Sequence, residues 1–164
     1  MNDQFDHVSL EQLLCFNVYS LNRALSRFYQ AAFGETGMTY PKFVVLSALE
    51  EAGPMTVSKL SAHANMEPST LSPLLKRMAQ YGVLTRDRAI EDERRVVITL
   101  TDMGREAVTL VREAVLEGLK GLDLDPSQTG QIVEALSAAR AQVEGAEPAI
   151  RLELGRMPPP LPDC

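Results

Sequence analysis

Residues 66–100, MEPSTLSPLLKRMAQYGVLTRDRAIEDERRVVITL, decide how the rest of the chain is read. In the first half Leu71, Leu74, Leu75 and Met78 recur at three- and four-residue spacing, which lays one apolar stripe along a helix. The other face carries Ser69, Thr70, Ser72, Lys76, Arg77 and Gln80, the side-chain types that bind phosphate oxygens and base edges. Pro68 suits a first helical turn and Gly82 the left-handed residue that closes a helix. Pro73 removes one backbone bond, so an irregular first turn is expected. After Gly82 the helical period gives way to alternation. Val83 to Thr85 open a strand, and Val96, Ile98 and Leu100 alternate with Val97 and Thr99 in a returning one. The intervening residues 86–95, RDRAIEDERR, are too polar for a core. A polar-faced helix followed by a two-stranded ribbon with an Arg-rich tip is the order of a winged helix-turn-helix, the helix suited to a major groove and the ribbon to backbone or minor groove. A solvated helix and a salt-bridged hairpin would use the same residues separately. Their combination in this order points to double-stranded DNA.

Outward from this stretch, the bulk properties narrow the class. A chain of 164 residues is long enough for one domain with a real core. Its 45% apolar and 23% charged residues are ordinary for a soluble globular protein. No apolar run approaches a bilayer span, and MNDQFDHVSLEQ at the N-terminus lacks a basic n-region and an apolar h-region. A cytoplasmic protein with no membrane attachment is expected. Cys15 and Cys164 are too few for a disulfide framework. The net charge of −6 is unevenly spread: residues 54–96 carry +2 and the remainder −8. Phosphate binding depends on the local patch, so the overall acidity does not exclude it.

On the N-terminal side, Ser9-Leu-Glu-Gln12 is a capping-box pattern. Leu10, Leu13, Leu14, Val18, Leu21, Leu25, Phe28 and Ala32 then predict one long helix from about Ser9 to Gly34. Thr39-Tyr40-Pro41 starts a second helix that ends at residues 51–53, and Pro54-Met55 reads as a turn. Thr56 caps a short third helix through Ala64 with Leu60 inward, followed by the turn 65–68. On the C-terminal side, Thr101 caps a helix to about Gly121 with a stripe of Ala107, Val111, Ala114, Val115, Leu119 and Leu122. Asp125-Pro126-Ser127-Gln128 starts another, through Ile132, Val133, Leu136, Ala139 and Val143 to about Glu147. Residues 148–164, rich in proline, read as an extended, mobile tail. The expected architecture is therefore mainly α with a small β-hairpin wing, as one domain over 1–164. Within it, 39–100 forms the winged helix-turn-helix, while helices in 8–34 and 101–147 flank it. Their apolar stripes need a partner, and a second copy supplies one. A C2 homodimer would present two reading helices about one DNA turn apart, hence a pseudo-palindromic operator.

This order of elements resembles the MarR family of bacterial transcription regulators over roughly residues 8–147. The resemblance is carried by STLSPLLKRM (69–78) and EDERRVVITLTDMG (91–104). It implies a winged helix-turn-helix in which Ser69, Thr70, Ser72, Lys76, Arg77, Arg86, Arg88 and Arg95 meet DNA, Arg94 enters the minor groove and Asp92 orients it or a neighbouring arginine. A narrower resemblance, through LCFNVY (14–19), Tyr29 and MTYPKF (38–43), is to the organic-hydroperoxide repressor branch (OhrR-type). There a cysteine at the position of Cys15 senses peroxide, and tyrosines matching Tyr29 and Tyr40 hydrogen-bond it across a dimer interface. Tyr19 is also present. The second cysteine that some members carry in the C-terminal helices is absent from residues 100–147. That implies a mixed disulfide between Cys15 and a small cellular thiol, with a bridge from Cys164 in the proline-rich tail to Cys15 as the weaker alternative.

The chemistry of such a site stands apart from the family. A thiolate attacks a peroxide, sulfenic acid is the first product, and phenolic donors favour the charged sulfur. Cys15 falls about two turns into the expected first helix, where the helix dipole adds little and hydroxyl donors would carry the activation. A lone helical cysteine is more commonly a small buried hydrophobe. Four functions are thus separable. One is a repressor released from DNA when an organic hydroperoxide oxidises Cys15. Another is a regulator of the same type that responds to a bound small molecule such as an aromatic acid, with Cys15 structural. The third, a thiol peroxidase, lacks a histidine or resolving cysteine in a suitable arrangement. The fourth is a winged helix that binds protein only. His7 and His63 are isolated from any metal-ligand spacing, and no Gly-rich phosphate loop or nucleophile elbow is present, so neither an enzyme nor a cofactor is expected.

Overall fold

The N-terminal helix begins later than its periodicity predicts. The computed structural model describes residues 9–88, 95–122 and 125–146, in two units, Met1–Leu122 and Asp123–Cys164. The Ser9 N–H donates to Gln12 Oε1 at 3.0 Å, as the capping-box pattern requires, but the turn it caps is a single 3-10 turn, Leu10–Gln12. Leu13 is extended (φ −75°, ψ 123°), and α1 starts afresh at Leu14 and runs to Phe33. Asn17 stitches the break: its Nδ2 donates to the carbonyls of Glu11 (2.7 Å) and Leu13 (2.9 Å). The expected single helix from Ser9 is thus two pieces: the Asn17 amide takes the Glu11 carbonyl that a continuous helix would have paired with the Cys15 N–H, while the Leu13 carbonyl accepts both the Asn17 N–H and its side-chain amide. Gly34 (φ 54°) closes α1.

The next helix, α2, spans Tyr40–Ala52 with Thr39 at its N-cap and Gly53 at its end. Met55, read from sequence as part of a turn with Pro54, instead opens a two-residue strand, β1, Met55–Thr56, whose register pairs Met55 with Ile98 and Thr56 with Val97. The pairing is antiparallel and made with a strand some forty residues on, which no local pattern reveals. Thr56 also caps α3, Val57–His63, accepting from the Lys59 N–H at 3.4 Å. A tight turn with Asn65 at φ 49° leads into α4, Pro68–Gln80. The Ser61 hydroxyl donates to the Met66 carbonyl at 2.6 Å and holds that turn. The α3–α4 pair is the helix-turn-helix.

Pro73 does not disrupt α4, which stays α-helical from Pro68 onward. Its cost is confined to the bond that a proline cannot donate. The helix ends in a Schellman turn, with Gly82 N–H on the Ala79 carbonyl (3.0 Å), Val83 N–H on the Met78 carbonyl (3.4 Å), and Gly82 at φ 75°. Strand β2, Leu84–Arg88, pairs antiparallel with β3, Val96–Leu100, and the sheet order is β1-β3-β2. Thr101 caps α5, Asp102–Lys120, through the Gly104 N–H at 3.1 Å. The expected stripe of α5 is kept at Val111 and Val115, with Ala107 and Leu119 packed against the core clusters, but its edges differ. Val108, Val111 and Val115 are buried, whereas Ala114 and Leu122 are exposed. Residues of α2, α3, α4, the sheet and Val108 share one core, including Val45, Leu46, Leu60, Leu71, Leu75 and Ile98. Cutting any of these leucines to alanine costs about 2–5 kcal/mol. Phe33, Val111 and Val115 form a second cluster with Tyr29 and Phe43 against it.

The second unit contributes α6, Pro126–Gly145, capped by Asp125, which accepts the Ser127 N–H at 2.9 Å. Ile132, Val133, Leu136 and Val143 are all exposed.

Gly104 is the tightest point of the fold. A Cβ there would lie 2.0 Å from the Val83 carbonyl oxygen and 2.9 Å from Leu100 Cδ2, and the carbonyl belongs to backbone that cannot swing away. Gly104→Ala is therefore expected to lose about 2 kcal/mol or more in urea unfolding. Gly130→Ala, where nothing lies within 4 Å in a helix, is expected to gain up to about 1 kcal/mol. Equal effects at the two positions would contradict this reading.

Candidate nucleic-acid interface and thiol site

Burying Leu71, Leu75 and Met78 leaves the polar face of α4 outward, and Ser69, Thr70, Ser72, Lys76 and Arg77 are all exposed. Ser69, Ser72 and Lys76 follow at i, i+3 and i+7 on one face, with Thr70 and Arg77 beside them. On the edge strand β2, Arg86 and Arg88 alternate onto one face, paired with Ile98 and Val96, and both are exposed. On the other face Thr85 Oγ1 donates to Asp87 Oδ2 at 2.7 Å. Arg95 lines a shallow cleft with Thr56, Ser58 and Lys59. The start of α3 and the root of the wing thus share a basic rim. Ser58 and Lys59 were not singled out from sequence, because only the β1–β3 pairing brings them to Arg95. Asp92 and Arg94 fall at the wing tip, outside the described residues, as do Cys164 and the tail from residue 148.

The thiol region has a different geometry. Cys15 is free and exposed, at the second position of α1. The later start of α1 moves it from the expected second turn into the first, where helix N–H groups have no intrahelical acceptor. Tyr19 lies one turn on, and Arg23 Nη1 donates to its hydroxyl at 3.2 Å. Leu14, Val18, Leu21 and Leu25 repeat along α1 at heptad spacing and are exposed. Tyr29 and Tyr40 lie side by side, with ring centroids 4.6 Å apart. Phe28, Phe33 and Phe43 surround Tyr29. Burial, and then the neighbouring Tyr40, push the Tyr29 phenol above its ordinary value. The hydroxyl therefore stays protonated, and available as a donor, throughout neutral and mildly alkaline pH. Cys15 and Tyr29 are fourteen residues apart on one helix, about 21 Å of rise, so a single chain does not bring the sulfur to the phenol pair.

A helix-turn-helix that bares a polar, basic face, followed by a sheet whose edge strand carries arginines, defines a winged helix-turn-helix protein. The comparisons agree. The family model described as transcriptional regulator SarA/Rot matches residues 27–110. The organic hydroperoxide resistance transcriptional regulator of Bacillus subtilis is 36% identical over 140 residues, covering 85% of this chain and 92% of that protein. The structure of AbfR of Staphylococcus epidermidis superposes with a TM-score of 0.71 at 31% identity, covering 84% of this chain and 95% of that one. AbfR has been solved reduced and bound to DNA, overoxidized and bound to DNA, and with a disulfide formed. BpsR of Bordetella bronchiseptica, whose DNA binding is regulated by 6-hydroxynicotinic acid, shares the fold at 19% identity (TM-score 0.75, covering 86% and 99%). The chain belongs to the MarR family of DNA-binding transcriptional regulators, which are not enzymes. Among the described residues no helix is long and apolar enough to cross a membrane.

The raised Tyr29 phenol has a stability consequence. Its folded value lies above the unfolded one, so its contribution is fully present below the ordinary phenol value and is lost as pH rises through the folded value. Tyr29→Phe is expected to reduce the alkaline loss of stability measured by denaturant unfolding, while an unchanged slope would show that Tyr29 titrates normally.

Proposed function

We propose that this protein is a homodimeric repressor that leaves its operator when Cys15 is oxidised by an organic hydroperoxide. The observation that carries the reading is the placement of thiol and phenols. Cys15 is exposed one residue on from Leu14, at the edge of the apolar heptad face of α1, and Tyr29, which stacks with Tyr40 of α2, sits near the far end of the same helix. An antiparallel second copy would bring one chain's sulfur to the other chain's phenols while covering the leucines. The exposed apolar residues of α6 supply a further face for the same partner. Support also comes from the name of the Bacillus subtilis relative and from the redox forms in which AbfR has been solved.

In this reaction the thiolate sulfur attacks a peroxide oxygen, an S–O bond forms and the O–O bond breaks. The distal OH passes to the sulfur, which becomes a sulfenic acid, and the other oxygen leaves as an alkoxide that takes up a proton to give the alcohol. A small cellular thiol then displaces water to form a mixed disulfide. Either product adds bulk to the seam between copies, where a modest bias between two arrangements of the reading heads suffices to lower DNA affinity. Leu13, Leu14 and Phe16 beside Cys15 suit an apolar hydroperoxide.

A second reading, control by a bound small molecule with Cys15 structural, is favoured by the open cavities beside α2. One of these, about 390 Å³, is lined by Tyr29, Phe33, Met38, Tyr40 and Pro41. Cys15→Ser separates the two readings. In a mobility shift on the protein's own upstream DNA with cumene hydroperoxide, the wild type is expected to dissociate and the variant to stay bound. Release of both, or of neither, would sink the thiol reading.

The DNA-facing residues are tested independently of the thiol. Lys76→Ala, on the outward face of α4, is expected to weaken binding and to lower the slope of log affinity against log salt by about 1. An unchanged slope would remove Lys76 from the phosphate contacts.

A further inference from the structure

The reading helix α4 carries a proline at the centre of its outward face. Leu71, Leu75 and Met78 mark the buried side, and Ser69, Ser72, Pro73 and Lys76, all exposed, follow at helical spacing on the opposite one. A helix carbonyl accepts from the N–H four residues on, and proline has none, so the Ser69 carbonyl lacks that donor. Among the described residues no side chain donates to it either. The amide of Ser69 also lies outside the helical ladder. Pro68 is the first residue of α4, Glu67 offers no side-chain cap, and the first backbone bonds run from the Thr70 and Leu71 N–H groups to the Glu67 carbonyl at 3.0 and 2.9 Å. The first turn of the reading helix therefore bares a main-chain acceptor on the side turned away from the core.

In the free protein such a carbonyl is hydrated. Set into a major groove it loses that water, and an acceptor left unpaired there is costly. The base edges in that groove offer one kind of donor, the exocyclic amino groups of adenine N6 and cytosine N4. Guanine O6, thymine O4 and purine N7 are acceptors and leave the carbonyl unpaired. A freed carbonyl thus favours a base with an amino edge, and it does so from backbone that has no rotamer freedom to lose.

The plain alternative is that Pro73 only stiffens α4. A proline stiffens a helix start without loss at the first position, where Pro68 already stands, whereas an interior proline costs helix stability. Stiffening does not require the middle of the outward face, but baring a carbonyl to DNA does.

We infer that the Ser69 carbonyl, released by Pro73, is a main-chain specificity contact that accepts from an amino group of adenine or cytosine in the major groove. The inference rests on α4 facing the DNA and is independent of Cys15.

The test uses reduced full-length protein and duplexes from its own upstream DNA. In these each adenine in turn is replaced by 2′-deoxynebularine, which lacks the N6 amino group, and each cytosine by 2′-deoxyzebularine, which lacks the N4 one. The wild type is expected to lose affinity by about fivefold or more at one position of each half-site, and the analogue that causes the loss tells adenine from cytosine. Pro73→Ala supplies the missing N–H to the Ser69 carbonyl. It is expected to abolish the loss at that position, to respond as the wild type does elsewhere, and to unfold at no lower urea concentration. Absence of any amino-dependent position, the same loss in wild type and Pro73→Ala, or a uniform weakening of Pro73→Ala on every duplex would overturn the contact. Lys76→Ala in the same assay is expected to weaken all duplexes alike. If it does so while the amino-dependent loss is the same with and without Pro73, the carbonyl contact fails alone. If neither variant changes binding to any duplex, α4 does not face the DNA.

Discussion

The structure depends on a backbone contact that admits no side chain. The first turn of α5 presses against the Val83 carbonyl at Gly104, and Thr101 binds both sides of the contact. Its hydroxyl donates to the Gly82 carbonyl at 2.7 Å and accepts from the Gly104 N–H, while its own N–H reaches the Val83 carbonyl at 3.3 Å. The end of the reading helix, the start of the wing and the start of α5 are thereby fixed at one point. This explains why threonine and glycine stand three residues apart immediately after the second strand of the wing. It also makes α5 a lever on the DNA-facing elements. A displacement of α5 moves Gly82 and Val83, and with them the angle at which α4 and β2 present their polar and arginine side chains.

At its other end α5 is joined to α1, where Phe28 packs beside Gly118. The mechanical line from the apolar face of α1 to the reading helix is therefore continuous: α1, α5, the Gly104 contact, α4. What drives the line differs between the two modes of control proposed above. Oxidation at Cys15 would push on the face of α1, whereas a small molecule in the cavity lined by Tyr29 and Tyr40 would act between α1 and α2.

Features written in local chemistry were legible in the sequence. The buried face of α4 follows from four apolar residues at helical spacing, its end from Gly82, the start of α5 from Thr101, and the start of α6 from Asp125-Pro126. Features set by distant partners were not. β1 is two residues long and exists only because β3 arrives some forty residues later. The inward face of α5 is chosen by what it packs against, so Val108 is buried while Ala114, on an equally plausible stripe, is not. The break at Leu13 carries no glycine or proline, and its signal, Asn17 one turn on, is legible only once its amide is seen on two carbonyls. For the site, the resemblance singled out Tyr29 and Tyr40 as partners of Cys15, whereas their contact with each other comes from the packing of α1 on α2. The basic rim of Lys59 with Arg95 needed coordinates, because it joins elements far apart in the chain.

The central claim is that thiol and phenols meet only between two chains. It is tested most directly with a heterodimer purified from one chain carrying Cys15→Ser and a second carrying Tyr29→Phe and Tyr40→Phe, by following sulfenic acid formation at the one remaining Cys15 with cumene hydroperoxide. Assembly between chains places that sulfur against the intact phenols of its partner, so the account predicts oxidation at the wild-type rate per thiol. Oxidation as slow as in the homodimer lacking both tyrosines would contradict it.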